Sequence, residues 1–395
     1  MSQDVLFLVH RIPFPPDKGD KIRSYHLLKY LSERCRVHLG CFVDDDNDWQ
    51  YLEQVKSYCT SSHILPLKPL AAKLNCLPSL LTNEALSLGY YRNANMKQWV
   101  NNVMSEVKPT LVLAYSSVMA QYVDSSDGEC AHLMDFVDMD SDKWRQYAAS
   151  KRGISRWIYA REAERLLAWE TKVATEFDAS FFISERENQE FLETTGPIDG
   201  VQVLRSGVDA AYFDPELAYE NPYGNHGKRL VFTGAMDYWA NEEAAVWFVQ
   251  QIFQALRRQD TSLEFYIVGS SPTDTVKNLA KIDGVTVTGR VADIRPYLAY
   301  ADLVVTPLRI ARGIQNKVLE ALAMGKRVVA SEQAMAGIDY EGCDVMSTEF
   351  VQPFVDVIAQ RLQQQSPNDA AAREFVLTHY DWTRNLSTLD HWLES

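Results

Sequence analysis

The feature that most constrains this chain is a short unbroken apolar run, then a loop marked by Pro and Gly, then an apolar pattern of helical period. Residues 5–9 (Val-Leu-Phe-Leu-Val) form such a run, and Pro13, Pro15, Pro16, Asp17 and Gly19 mark the loop after it. Ile22, Tyr25, Leu28 and Leu31 then recur at helical spacing, and residues 37–43 read as a second strand. A strand without polar alternation needs cover on both faces, which a parallel sheet flanked by helices provides. Further strands are expected at residues 110–114 and 133–137, so the first half is α/β.

Residues 156–177 read as a long amphipathic helix and 181–183 as a strand, and Ser184 with Glu187 forms a capping box that makes Ser184 structural. From 205 to 228 the pattern dissolves into Gly, Asp, Pro, Asn and Tyr. A new alternating series follows: strand 230–233, helix 242–257, strands 263–268 and 285–288, helix 294–300, strand 303–306, helix 314–324 and strand 327–330. With 395 residues there is chain enough for two cores. The expected organisation is an N-terminal domain over 1–205, a linker over 206–228, a second doubly wound domain over 229–375, and a C-terminal helix over 376–395 packing back toward the first domain. Ligands of such sheets bind beyond the carboxyl ends of the strands.

A net charge of −14 argues against nucleic acid as a partner, and a small anionic ligand would need a local basic patch. Six cysteines without a C-x-x-C pair suit reduced thiols in a cytoplasmic protein, with no metal site. Residues 1–9 lack the basic start of a signal peptide and read as a strand. No stretch approaches the ~20 apolar residues of a spanning helix, so any membrane contact would be peripheral, at the inner face of the membrane.

Residues 307–320 carry the strongest chemical signal, running from a strand end through a loop into a helix with Arg309, Arg312 and Lys317 before any acid. Free N–H groups at that helix start, with Gly313 in the loop and Asn316 and Glu320 on one helix face, suit a diphosphate with its ribose at Glu320. The alternative is a solvated basic loop with a surface glutamate.

Residues 316–331 (Asn-Lys-Val-Leu-Glu-Ala-Leu-Ala-Met-Gly-Lys-Arg-Val-Val-Ala-Ser) resemble the Glu-Ala-Met-Ala-x-Gly-x-Pro-Val-Val-Ala block of the retaining family 4 glycosyltransferases. Further matches occur in the family's order at 232–238 with Gly234, at 268–269, at 287–291 with Arg290 and Val291, and at 301–302. The resemblance implies two Rossmann-like domains with parallel sheets facing across a cleft, the GT-B fold. It also implies a nucleoside diphosphate sugar as donor, retention of configuration, no cofactor and no required metal. Residues 13–24 and 134–144 look more narrowly like sugar transferases associated with exosortase-linked (PEP-CTERM) exopolysaccharide clusters.

Glu320 fits the second glutamate of the family's pair, while Arg312 occupies the place of the first and is the expected replacement at the sugar. Ala235 and the Ala240–Asn241 region stand where the family has an Arg and a Lys, so Arg309, Arg312 or Lys317 would supply the missing charge. Gly19 lies where the family places donor phosphate or acceptor contacts, though a plain turn glycine reads nearly as well. Lys18, Lys21 and Arg23 suit an acceptor phosphate or are solvated charges at a helix start.

Asp135, Asp138, Asp140 and Asp142 cluster after a strand, near where the family often has a histidine; none occurs between His132 and His226. Asp138 is the first choice for acceptor orientation or proton transfer and Asp140 the second, against a capping role. Glu170 and Asp209 read as packing or turn residues. Residues 66–91 read as an apolar flap near a lipid-linked acceptor or as a packed irregular segment. The expected reaction is sugar transfer to a carbohydrate or lipid-linked acceptor in exopolysaccharide or cell-surface glycan assembly. The rivals are a sugar-nucleotide epimerase and a non-catalytic nucleotide-sugar-binding module.

Overall fold

The computed structural model describes residues 3–16, 19–80, 82–125, 130–224, 227–311, 313–364 and 368–393. The chain divides into two compact units, one of Met1–Arg205 with Thr383–Ser395 and one of Ser206–Trp382.

Among the described residues the first unit is built on seven strands: β1 (Asp4–Val9), β2 (Arg36–Val43), β3 (Ser61–Pro66), β4 (Leu111–Tyr115), β5 (Ala131–Val137), β6 (Ala179–Phe182) and β7 (Val201–Val203). They pair in parallel in the order β3-β2-β1-β4-β5-β6-β7. Val5 to Val9 are buried completely, as an unbroken apolar run in a central strand requires. The order reverses between β1 and β4, and there the carboxyl ends of two neighbouring strands diverge into loops on opposite sides of the sheet.

Among the described residues the second unit has six strands, β8 (Arg229–Thr233), β9 (Glu264–Val268), β10 (Val285–Gly289), β11 (Leu303–Thr306), β12 (Val328–Ser331) and β13 (Asp344–Met346). All are parallel, in the order β10-β9-β8-β11-β12-β13, with the reversal between β8 and β11. Two parallel, Rossmann-like sheets on one chain are the α/β architecture expected from the alternation.

Three elements differ from the sequence reading. The helix expected over 242–257 runs as Trp239–Trp247, a π-helical stretch Phe248–Phe253 and Gln254–Gln259. The wider turn seats Phe248, Val249, Ile252 and Phe253 all in the core. Instead of one helix over 376–395, the helix Ala370–His379 is followed by three short pieces, Trp382–Leu386, Ser387–Leu389 and Asp390–Leu393. The last of these is held by Tyr30, whose hydroxyl donates to Asp390 at 2.5 Å. Residues 206–224, read as linker, belong to the second unit, where Val208 bridges to Asp381 and its N–H donates to Tyr380 O at 2.8 Å. None of the described helices is long and apolar enough to cross a membrane.

Candidate functional site

In the second unit the polar groups gather at the β8/β11 reversal. Gly234 follows β8 and Gly269 follows β9, each at φ 156°. A Cβ on Gly269 would lie 1.7 Å from Gly234 O, and one on Gly234 would lie 2.8 Å from Asn241 Nδ2 and 3.3 Å from Lys317 Nζ. Only glycine permits that approach. Lys317 Nζ donates to Asn241 Oδ1 at 2.5 Å, and Asn241 Nδ2 donates to Ala235 O at 2.9 Å. Asn241 thus fixes the ammonium beside the Gly234 turn.

Lys317 lies in the helix Asn316–Ala323, and the N-cap side chain of Gln315 makes no capping bond to the helix. The first-turn N–H groups of Asn316 and Lys317 therefore lack the side-chain acceptor that usually closes a helix start. Burial draws the Lys317 ammonium down to about 8, against the pull of Glu320. Burial likewise raises the Glu320 carboxyl to about 7, against the pull of Lys317. Both groups sit near their charge transitions at neutral pH, so an incoming anion or hydroxyl shifts them readily.

Arg309 is half-exposed and its Nη1 donates to Glu243 Oε1 at 2.6 Å, so its charge is partly spent before any ligand arrives. Gly313 takes φ 60°. Arg290 is exposed and Val291 is half-buried against the core, both just beyond the end of β10. Arg312 lies outside the described residues.

Sequence reasoning missed three contributors here. Asn241 is the partner of Lys317, 76 residues away. Thr233 and Thr306 end the adjacent strands β8 and β11, and their buried hydroxyls have no hydrogen-bond partner among the described residues. A hydroxyl as the last residue of an apolar strand was the available signal. A buried polar atom without a partner is uncommon and calls for one.

In the first unit the Asp cluster follows β5. Lys143 Nζ lies 2.9 Å from both Asp138 Oδ2 and Asp140 Oδ1. Burial works against the Lys143 charge, but the two carboxylates raise its pKa above the ordinary value. Val137, just before Asp138, takes φ 69°, and Ser116, just after β4, takes φ 70°. Positive φ at a β-branched residue stores strain on the order of 1–3 kcal/mol and fixes where Asp138 leaves the strand. Behind them Glu170 accepts from Ser141 N at 3.2 Å and Ser141 Oγ at 2.5 Å, and Glu187 accepts from Met139 N at 3.0 Å. Burial pushes Glu170 up to about 8, with Asp140 adding to it. Glu170 and Glu187 therefore hold the start of the helix Asp140–Ser150, whose N-cap Met139 has no side-chain acceptor. Asp209 accepts from Tyr212 N at 2.9 Å, a turn contact.

Lys21 and Arg23 are corrected. Both are buried: Lys21 Nζ lies 2.5 Å from Asp48 Oδ2, and Arg23, 1% exposed, makes bonds of 2.8 and 3.1 Å to Asp135, 0% exposed. A buried charge needs its partner, and these cations are held inside, away from any acceptor at the surface. Gly19 opens the helix Gly19–Ser32 and is exposed. Lys18 lies outside the described residues.

A further group was missed at the end of β1. His10 stacks on Tyr115 with centroids 5.8 Å apart, its Nε2 lies 3.6 Å from Asp20 Oδ2, and its buried Nδ1 has no hydrogen-bond partner among the described residues. Arg11 contacts Asp20 at 2.6 Å and Asp44 at 2.8 Å. Burial disfavours the Asp20 carboxylate, yet His10 and Arg11 hold its pKa below the ordinary range. His10 and Ser116 flank the β1/β4 reversal, and position alone, one residue past each apolar run, was the signal for them.

Residues 227–364 match the family described as "Glycosyl transferases group 1". The chain is a glycosyltransferase. Solved structures share its GT-B fold over the full length. Sucrose-phosphate synthase from Thermosynechococcus elongatus is 16% identical, with 99% of this chain and 98% of that one covered at a TM-score of 0.71. HepE from Anabaena in complex with UDP and glucose is 15% identical, with both chains covered completely at a TM-score of 0.67. A glycosyltransferase from Rickettsia africae ESF-5 is 14% identical, with 100% of this chain and 98% of that one covered at 0.64. No curated protein sequence matches the chain.

Proposed function

We propose that this glycosyltransferase takes its sugar from a nucleoside diphosphate donor and transfers it, with retention, to a carbohydrate or lipid-linked acceptor. The observation that carries the reading is the Lys317–Asn241 pair beside Gly234, at an uncapped helix start, with Glu320 one turn deeper. The helix N–H groups and the Lys317 ammonium would take the negative charge that develops on the departing diphosphate, and Glu320 would accept from the ribose hydroxyls. The complex of HepE with UDP and glucose supports a nucleotide sugar as donor.

Asp138 and Asp140, poised by Lys143, are the groups proposed to orient the acceptor hydroxyl. Retention and a setting in exopolysaccharide or cell-surface glycan assembly rest on the family resemblance of residues 316–331, 13–24 and 134–144. The test is a panel of nucleotide sugars screened for thermal stabilisation, then for nucleotide release with glycan and lipid-linked acceptors. Acceptor-dependent nucleotide release supports the reading. An isomerised donor without acceptor, or stabilisation by no nucleotide sugar, contradicts it.

A further inference from the structure

Residues 143–161 carry six cations and no acid, in a chain whose net charge is −14. They form most of the helix Asp140–Ser150, a turn at Lys151 and Arg152, and the start of the helix Gly153–Glu176. At that tip Lys151, Arg152 and Arg156 are exposed, as are Ile154 at 79% and Trp157 at 59%. Ile154 and Trp157, three apart, share one helix face. An aliphatic and an indole side chain gain nothing from water, but both are stabilised where lipid headgroups meet acyl chains, beside cations on lipid phosphates.

A second acid-free stretch is hydrogen-bonded to the same helix. Residues 54–83 contain no acid. Within them Leu70, 81% exposed, and the exposed Leu74 and Leu77 accompany the exposed Lys68 and Lys73 along the helix Pro69–Asn75, its N-cap and the turn after it. Arg161, one turn past Trp157, donates to Ser79 O at 2.6 Å and Glu84 O at 3.2 Å. Glu162 accepts from Leu86 N at 2.6 Å and Ser87 N at 2.9 Å. Both apolar, basic patches are therefore tied to the first turns of one helix.

We propose that this double patch docks the first unit on an anionic lipid surface, with Ile154, Trp157, Leu70 and Leu74 entering the headgroup region. A nucleic acid backbone would satisfy the cations and leave Ile154, Leu70 and Leu74 without a partner. The 11-residue helix Asp140–Ser150, about 16 Å long, joins the tip to Asp140 at its other end. Docking thereby holds a lipid-borne acceptor within one helix length of the acids; this consequence rests on the proposed function, whereas docking itself does not.

The test is sedimentation of the full chain with phosphatidylcholine vesicles and with vesicles of equal parts phosphatidylcholine and phosphatidylglycerol. The wild type is expected to pellet with the anionic vesicles only and to be released by salt. The exposed-site variant K151E/R152E/R156E should bind roughly a hundredfold more weakly at an unchanged melting temperature, since each cation near such a surface adds about 1 kcal/mol. I154S/W157S should also bind more weakly while keeping the salt dependence. Wild type that stays in the supernatant, pellets equally with both vesicles, or prefers duplex DNA to anionic vesicles overturns the proposal, as does undiminished binding by the charge-reversal variant. UDP binding by the same variants separates loss of docking from loss of the donor site.

Discussion

Arg23 and Asp135 illustrate what a single residue can do when its partner is 112 positions away. Burial raises the Asp135 pKa, and the two bonds from Arg23 oppose that rise. Replacing Arg23 by Met would strand the carboxylate and is expected to cost about 3–5 kcal/mol of stability, read from a urea midpoint, with nucleoside diphosphate affinity unchanged. Neither this pair nor Lys21–Asp48 was legible in the sequence. The cations there follow a Gly at a helix start, the pattern of a phosphate loop, and their burial depends on carboxylates in distant segments. Lys317 was legible because its helix stripe and its basic neighbours lie within one segment; its clamp, Asn241, was not. The Lys317 pKa of about 8 also sets a pH dependence. Below it the ammonium carries the charge a diphosphate needs, so UDP affinity measured by calorimetry should fall as pH rises through 8. A flat profile across that range would remove Lys317 from the donor site.

At the scale of elements, the strands with continuous apolar runs were readable and those at the edges were less so. β1 and β4 are buried along nearly their whole length, whereas β3 at one edge is half-buried, mixes Ser, His and Pro, and shows no strand period. The close approach of the backbone after β8, at Gly234, to that after β9, at Gly269, is a stricter constraint than the sequence suggests. Gly269→Ala puts a Cβ against the Gly234 carbonyl and should cost at least about 3 kcal/mol. Gly289→Ala, also at positive φ but with no atom within 4 Å of its Cβ, should cost only about 1–2 kcal/mol in the same denaturation assay. The helix Asp140–Ser150 is anchored by Glu170, whose folded pKa of about 8 lies above the ordinary 4.5. The folded state therefore holds a proton that the unfolded chain has released, and stability falls as pH rises from 4.5 to 8. Glu170→Gln should remove that fall, raising the melting temperature at pH 8 by on the order of 5 °C. Parallel pH profiles for the two proteins would show that Glu170 titrates normally.

For the molecule as a whole, two sheets with the same reversal of strand order place ligand-binding loops at the carboxyl ends of β1/β4 and of β8/β11. Alternating runs predicted that duplication, and the group 1 match over residues 227–364 assigns the enzyme class. The π-helical stretch, the broken C-terminal segment and the membership of residues 206–224 in the second unit were not readable, because each is decided by packing against residues far along the chain. The helix start at Asn316–Lys317 is proposed to receive a nucleoside diphosphate. Its most direct test is calorimetric titration of UDP, GDP and ADP into wild type and Lys317→Met. The wild type is expected to bind at least one of them, and the variant to lose roughly thirtyfold or more in affinity. Equal affinity in the two proteins, or no nucleoside diphosphate bound by the wild type, would contradict it.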